Sequence, residues 1–144
     1  MYDIQTLAKR TKLKTRQLRY VLDQSIIPDL TIQYTGLRRT RTLRHFDAFA
    51  VLVVTSLLEA GLNKDRVVKI AVGMNGAALT LRPVSLYSFY CKNIKHLSIT
   101  EDNSVFARGR WYSLATGKPI ANLQPCVEIR VSLQRLRRLL NRGG

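Results

Sequence analysis

The sequence contains little cysteine and no long apolar run. Its two cysteines, Cys91 and Cys126, stand far apart, with no further cysteine or histidine at the spacing of metal ligands. It therefore predicts neither a disulfide framework nor a metal site, and we expect both thiols to be free and buried. No run approaches the roughly 18 apolar residues of a membrane-spanning helix, and the first residues lack the basic-then-apolar pattern of a secretion signal. These absences predict a cytoplasmic protein with no membrane partner.

Motifs for catalysis are missing as well. The sequence has no glycine-rich phosphate loop, no pair of carboxylates at helical spacing, and no serine or cysteine beside a candidate base. The isolated His45 and His96 are more typical of polar surface or hydrogen-bonded side chains than of metal ligands. Trp111, Tyr87 and Tyr90 are candidates for a small-molecule pocket, although aromatic strand residues usually belong to a core. We predict no enzyme and no cofactor, and an effector ligand stays an open question.

Acidic residues are scarce: 9 Asp and Glu stand against 24 Lys and Arg in 144 residues, a formal charge of +15. This balance indicates a polyanionic partner, with nucleic acid as the first candidate and an acidic membrane surface as the second. Residues 9–44 contain ten basic residues against Asp23 and Asp29, whereas residues 45–74 contain three of each sign. A basic patch followed by a neutral block indicates a binding face followed by packing helices.

The segment from Thr11 to Leu22 carries the most information. As a helix it places one apolar side opposite one cationic and aromatic side, because residues three and four apart share a face. It reads as the turn and second helix of a helix-turn-helix, whose arginines offer a planar donor fork to guanine or phosphate. The alternative is an ordinary surface helix with solvated arginines. The apolar side comprises Leu18, Val21 and Leu22, and the other side comprises Arg16, Arg19 and Tyr20.

Short elements flank this segment. Asp3 can cap a first helix, and Pro28 ends the second because proline disfavours helix in the residue before it. Alternating residues around Gly36 predict a basic hairpin, an apolar stripe of helical period ends at Gly61, and Asn63 caps a further helix. Residues 1–76 are thus predicted to form one winged helix-turn-helix domain. The hairpin strands are 31–35 and 37–43, the stripe is Phe46, Phe49, Ala50, Val53, Val54, Leu57 and Leu58, and the last helix ends near Gly73 and Gly76.

Residues 77–144 are predicted to form a small β-rich domain with a C-terminal amphipathic helix, which makes the whole chain α+β. Short apolar runs separated by turn residues predict an antiparallel sheet, and Ser132 can cap the terminal helix. The leucine stripe of that helix either packs on its own sheet or forms a homodimer contact. The predicted strands are 85–90, 97–100, 105–107 with 111–114, and 127–131, and the stripe is Leu133, Leu136, Leu139 and Leu140, with Arg142 among the cations around it.

The first half also carries an ordered set of motifs. They are Leu7-Ala8, Thr15 to Tyr20 with Leu18-Arg19-Tyr20, Ile26-Ile27-Pro28, Arg41 with Asp47, and Glu59-Ala60-Gly61-Leu62. With these motifs, residues 3–72 resemble the DNA-binding domain of MerR-type transcriptional regulators, and the order and spacing fit closely up to Pro28. The chain departs from the family pattern at Lys12, where a turn glycine is usual, and at Lys14, where a serine is usual. It also departs where Val21 and Leu43 replace tyrosines, and in the longer spacing from Gly36 to Asp47.

The resemblance implies that the second helix lies in the major groove of double-stranded DNA while the hairpin, or wing, reaches the adjacent backbone or minor groove. It implies a sequence-specific transcriptional regulator. Three alternatives stay open: an excisionase-like or architectural DNA-binding accessory protein, an RNA-binding or ribosome-associated basic protein, and an interaction module in which the β-rich half carries the function and the basic half only anchors it. The expected contacts are Thr15, Arg16 and Arg19 in the groove, Tyr20 on a phosphate, Arg38, Arg39 and Arg41 on the wing, and an electrostatic contribution from Lys12 and Lys14.

Overall fold

The computed structural model describes residues 1–75 and 84–141, so the predicted positions of Gly76 and Arg142 lie outside the described residues. These residues form a mixed α and β fold of six helices and two antiparallel sheets, which agrees with the predicted α+β class. The helices are α1 (Ile4–Thr11), α2 (Thr15–Asp23), α3 (His45–Glu59), α4 (Lys64–Asn75), α5 (Leu86–Cys91) and α6 (Leu133–Asn141). The strands are β1 (Ile32–Thr35), β2 (Thr40–Leu43), β3 (His96–Thr100), β4 (Ser104–Ala107), β5 (Arg110–Ser113), β6 (Pro119–Ile120) and β7 (Glu128–Ser132).

The first two helices begin where the sequence predicts, but α2 ends at Asp23, before the segment around Pro28 that was expected to end it. The Asp3 carboxylate accepts a 2.7 Å hydrogen bond from the Thr6 amide and so satisfies one of the free donors at the start of α1. Helix α2 is apolar on one side, where Leu18 and Val21 are almost completely buried against α3. Burial of that side fixes which way α2 faces, and its opposite side is left to solvent.

The hairpin of β1 and β2 is anchored at one end only. Its register pairs Ile32 with Leu43 and Thr35 with Thr40. Leu43 is buried, and its backbone exchanges hydrogen bonds of 2.8 and 2.7 Å with Tyr2 just before α1. The root of the hairpin is therefore fixed to the core and to α1, while the turn of residues 36–39 projects from it.

Helix α3 is the centre of the molecule. The sequence predicts one apolar stripe, but nearly every residue from Asp47 to Leu57 is buried. Helices α2, α4, α5 and α6 all pack against α3, and a helix enclosed in this way is apolar on most of its circumference. The buried side chains form one cluster, which includes residues from the predicted N-terminal domain and from the predicted β-rich domain.

One predicted strand is wrong: of residues 85–90, Ser85 caps helix α5 and the other five belong to that helix. The Ser85 hydroxyl accepts a 3.0 Å hydrogen bond from the Ser88 amide, which is a helix N-cap. Leu86 and Phe89, three residues apart, are both buried on the same side. A segment of six residues is compatible with the periodicity of a strand and with that of a helix. Here the contact with α3 favours the helix.

The remaining predicted strands are confirmed. They form an antiparallel sheet in the order β6-β5-β4-β3-β7, to which the short strand β6 adds an edge that the sequence pattern did not predict. Ser132 caps α6 as expected, since its hydroxyl accepts a 3.2 Å hydrogen bond from the Arg135 amide. The segment that connects β6 to β7 is tied to the turn between β3 and β4. The Glu101 carboxylate in that turn accepts hydrogen bonds from the backbone amides of Cys126 and Val127.

The leucine stripe of α6 packs inside its own chain. Leu133, Leu136 and Leu140 are buried, and α6 contacts α1, α3 and β3. The Arg137 guanidinium donates 2.5 Å hydrogen bonds to the carbonyls of Ile94 and Phe89. These contacts support the interpretation in which the leucine stripe packs within its own chain.

Cys91 and Cys126 are free, as predicted, but both are exposed rather than buried, because they lie at the end of α5 and in the segment before β7. His45 is hydrogen-bonded on both ring nitrogens, at 2.6 Å to the Tyr90 hydroxyl and 2.7 Å to the Asn141 side chain. No helix within the described ranges is both long and apolar enough to cross a bilayer.

Candidate nucleic-acid interface

The outward side of α2 carries the strongest predicted contacts. Arg16 and Arg19 are exposed and lie one turn apart, while Thr15 and Tyr20 are half-buried at its edges. Among the described residues, neither arginine forms an ion pair. The Lys64 ammonium lies 5.9 Å from the centre of the Tyr20 ring, within the range of a cation–π contact, and donates a 2.8 Å hydrogen bond to Gln24. The side of α2 predicted to bind therefore presents two unpaired guanidinium groups.

The turn between α1 and α2 adds two exposed lysines. Lys12 has a left-handed backbone conformation, with φ of +62°, and its amide donates a 2.8 Å hydrogen bond to the carbonyl of Ala8. Glycine is the usual residue for this conformation at the end of a helix. Lys14 precedes α2, and its side chain does not cap the helix. The first amides of α2 are thus left without a side-chain acceptor, beside two cations.

We expect Lys12→Gly to separate stability from binding. Glycine relieves the left-handed conformation and should raise the free energy of unfolding by roughly 0.5–1 kcal/mol, while loss of the cation should weaken the predicted binding to all DNA duplexes alike. Thermal denaturation and a binding titration on unrelated duplexes measure the two effects. Asn93→Gly is the matched control, because Asn93 has φ of +55° but lies in the second half. It should change the stability less than Lys12→Gly, because asparagine tolerates the left-handed conformation, and it should leave DNA affinity unchanged.

A groove brings α2 and the hairpin together. We name it the arginine groove; it has a volume of about 450 Å³ and lies between the start of α1, the middle of α2 and the end of the hairpin. Four of the predicted arginines line it, whereas Lys12, Lys14, Thr15 and Arg16 lie outside it along the α1–α2 turn and the start of α2. The lining residues are Asp3, Ile4, Gln5, Arg19, Arg38, Arg39, Thr40 and Arg41.

The four groove arginines differ in their partners. Arg41 forms a 2.6 Å ion pair with Asp23 at the end of α2, which fixes the hairpin to that helix. The Arg39 guanidinium lies 5.2 Å from the centre of the Tyr34 ring. Arg19 and Arg38 form no ion pair within the part of the chain that the structure describes. Arg41 is therefore first of all a structural contact, and the other three are the groove's available cations.

Asp23→Asn is expected to strengthen binding to every duplex by roughly two- to fivefold, because it releases Arg41 and removes a negative charge beside the groove. Titrations of wild type and variant at one salt concentration measure the change. Glu128→Gln is the matched control, since Glu128 pairs with Arg130 on the five-stranded sheet and carries the same charge. An equal increase for both variants would show that only the total charge matters.

Sequence reasoning did not assign Lys64 beside Tyr20 or four residues that line the groove, Asp3, Ile4, Gln5 and Thr40. Asp3 and Gln5 reach the groove because the backbone of Tyr2 pairs with that of Leu43, a long-range contact with no local signal. Lys64 lies beside Tyr20 because α4 packs on α3. The sequence offered only its position as a basic residue at the start of a helix.

The aromatic residues considered for a ligand pocket are not brought together. Tyr87 and Tyr90 pack edge-on against Phe46, with ring centres 5.4 and 5.2 Å from it. Trp111 packs against Phe106 on the five-stranded sheet, with ring centres 5.2 Å apart. These rings contribute to packing in two separate places.

Neither the models of known protein families nor the curated protein sequences contain a match to this chain.

Proposed function

We propose that this protein binds double-stranded DNA in a sequence-specific manner and acts as a transcriptional regulator. In this proposal residues 1–76 form a MerR-like winged helix-turn-helix. Helix α2 enters the major groove, and the hairpin acts as the wing on the adjacent backbone or minor groove. A cytoplasmic location is part of the same proposal.

One observation carries the proposal. Arg16 and Arg19 are exposed on one side of α2 without an ion pair among the described residues, and Arg19 shares a groove with three hairpin arginines. A helix flanked by a basic hairpin can read base edges while cations next to it hold the phosphates. Residues 30–44 contain four arginines and no acidic residue, so the charge of the hairpin is purely positive and is concentrated in its turn and second strand.

Two copies on a two-fold repeat are the simplest way for such a protein to read an operator, with α2 helices about 34 Å apart, one turn of B-DNA. Leu133, Leu136 and Leu140 of α6 are already buried within the chain. A homodimer would therefore use another surface.

Selection followed by hydrogen exchange tests the proposal. A random duplex library should yield an enriched sequence. On that duplex, amide exchange in the full chain should slow in residues 11–23 and 32–43 and stay unchanged in β3 to β5. Protection confined to the five-stranded sheet, or preference for structured RNA over every duplex, would contradict it.

A further inference from the structure

The tip of the hairpin presents an apolar side chain to solvent. Leu37 has a relative exposure of 104%, the highest among the large apolar residues that the structure describes. Its neighbours are Gly36, with φ of +75°, and Arg38, which is exposed. No packing contact explains a leucine at this position, although single exposed apolar residues are common on protein surfaces.

The turn holds Leu37 at the outermost point of a fixed hairpin. The Arg39 amide donates a 3.2 Å hydrogen bond to the carbonyl of Gly36, and this bond closes the four-residue turn around Leu37 and Arg38. From the anchored pair Ile32 and Leu43 to the last pair, the strands extend about 10 Å, at about 3.4 Å per residue. Leu37 therefore projects from a built arm and not from an unstructured loop.

Cations lie directly behind the apolar tip. Arg38 and Arg39 follow Leu37, and the Arg39 guanidinium is held over the Tyr34 ring at 5.2 Å. Proteins that kink DNA from the minor groove combine such parts: arginines attracted by the negative potential of the groove, and an apolar wedge that enters between two base pairs. The combination of an apolar tip with arginines behind it therefore fits the DNA minor groove as the partner of this tip.

We propose that Leu37 is a wedge that enters a base step from the minor groove and bends the DNA, while Arg38 and Arg39 hold the flanking phosphates. This inference rests on the proposed DNA-binding function and adds a mechanism to it. Insertion unstacks one base step, and pyrimidine–purine steps such as TA yield most easily. The preferred DNA sequence then includes a flexible base step beneath the wing. The protein selects this step through its deformability and not through hydrogen bonds to the bases.

The test uses the full chain and a selected duplex of about 30 base pairs, three helical turns, with a dye at each end and 2-aminopurine beside the step beneath the wing. Wild type should shorten the dye-to-dye distance and raise 2-aminopurine fluorescence. Leu37→Gln, of similar length but polar, should abolish both signals and weaken binding about tenfold, with an unchanged salt dependence. Leu37→Met, which stays apolar, should keep both signals.

Two controls separate the wedge from the charges. Arg38→Ala should reduce the slope of log affinity against log salt by about one while the DNA stays bent. Val127→Ala, an exposed apolar residue before β7, should change nothing. A wild-type complex with straight DNA, or Leu37→Gln that bends DNA like wild type, overturns the wedge and leaves DNA binding intact. No binding to any duplex, or tighter binding to a structured RNA, overturns both proposals.

Discussion

Arg19→Ala is expected to weaken binding to a selected duplex by about five- to 150-fold, or ~1–3 kcal/mol, and to relax the preference for one base pair. Arg19 is exposed on α2 and also lines the arginine groove, so it lies where α2 and the hairpin meet. A guanidinium that donates two hydrogen bonds to one guanine discriminates against the other bases, and alanine cannot replace those donors. Titrations on the selected duplex and on single-base variants measure both effects.

Arg135→Ala is the matched control for Arg19, since Arg135 is an exposed helical arginine on α6. Its loss should lower affinity only slightly and equally on every sequence. If Arg19→Ala weakens all duplexes by the same factor, Arg19 contacts the backbone rather than a base.

Phe49→Ala is expected to lower the free energy of unfolding by about 3–5 kcal/mol, a large fraction of the ~5–15 kcal/mol of a typical domain. Phe49 is completely buried, and the centre of its ring lies 5.3 Å from the centre of the Tyr90 ring. The Arg137 guanidinium lies 5.2 Å from the centre of the Phe49 ring. The substitution leaves a cavity where α3, α5 and α6 meet. It also removes the aromatic face from a guanidinium whose pKa is lowered by burial.

The same variant tests whether the two parts of the chain unfold together. Trp111, the single tryptophan, lies on β5, far along the chain from Phe49. Because the buried cluster is continuous, Trp111 fluorescence and far-UV circular dichroism should shift to lower denaturant by the same amount. Phe106→Ala, at a phenylalanine with 40% exposure, should shift the circular dichroism transition far less. A Trp111 transition that Phe49→Ala leaves in place would contradict a single cooperative unit.

Local signals account for the elements that the sequence predicted correctly. Asp3, Asn63 and Ser132 all accept the hydrogen bonds expected of N-caps, because capping depends on residues only three positions away. Alternation and the glycine turn likewise located the hairpin. These elements follow from spacing alone.

Long-range packing accounts for what the sequence did not predict. Residues 86–90 are helical because Phe89 packs into the core beside α3, and so short a segment does not specify its own period. The burial of α3 on nearly all sides depends on α6, which lies over 70 residues further along the chain. Neither contact leaves a pattern in the local sequence.

In the candidate site, too, some features follow from local spacing and others from long-range packing. Exposure of Arg16 and Arg19 follows from the apolar side of α2, so spacing alone could predict it. The ion pair of Arg41 with Asp23 and the meeting of Arg19 with Arg38 depend on how the hairpin returns to α2. The sequence could name the cations but not their partners.

The most direct test of the central claim is the affinity of the wild-type protein for duplex DNA and for a structured RNA of equal length, measured across a range of salt concentrations. The arrangement of cations on α2 and the hairpin predicts tighter binding to the duplex. It also predicts a slope of log affinity against log salt of about −5, as expected when some six phosphates are neutralised. Equal or tighter binding to the RNA, or duplex binding that barely responds to salt, would contradict the account.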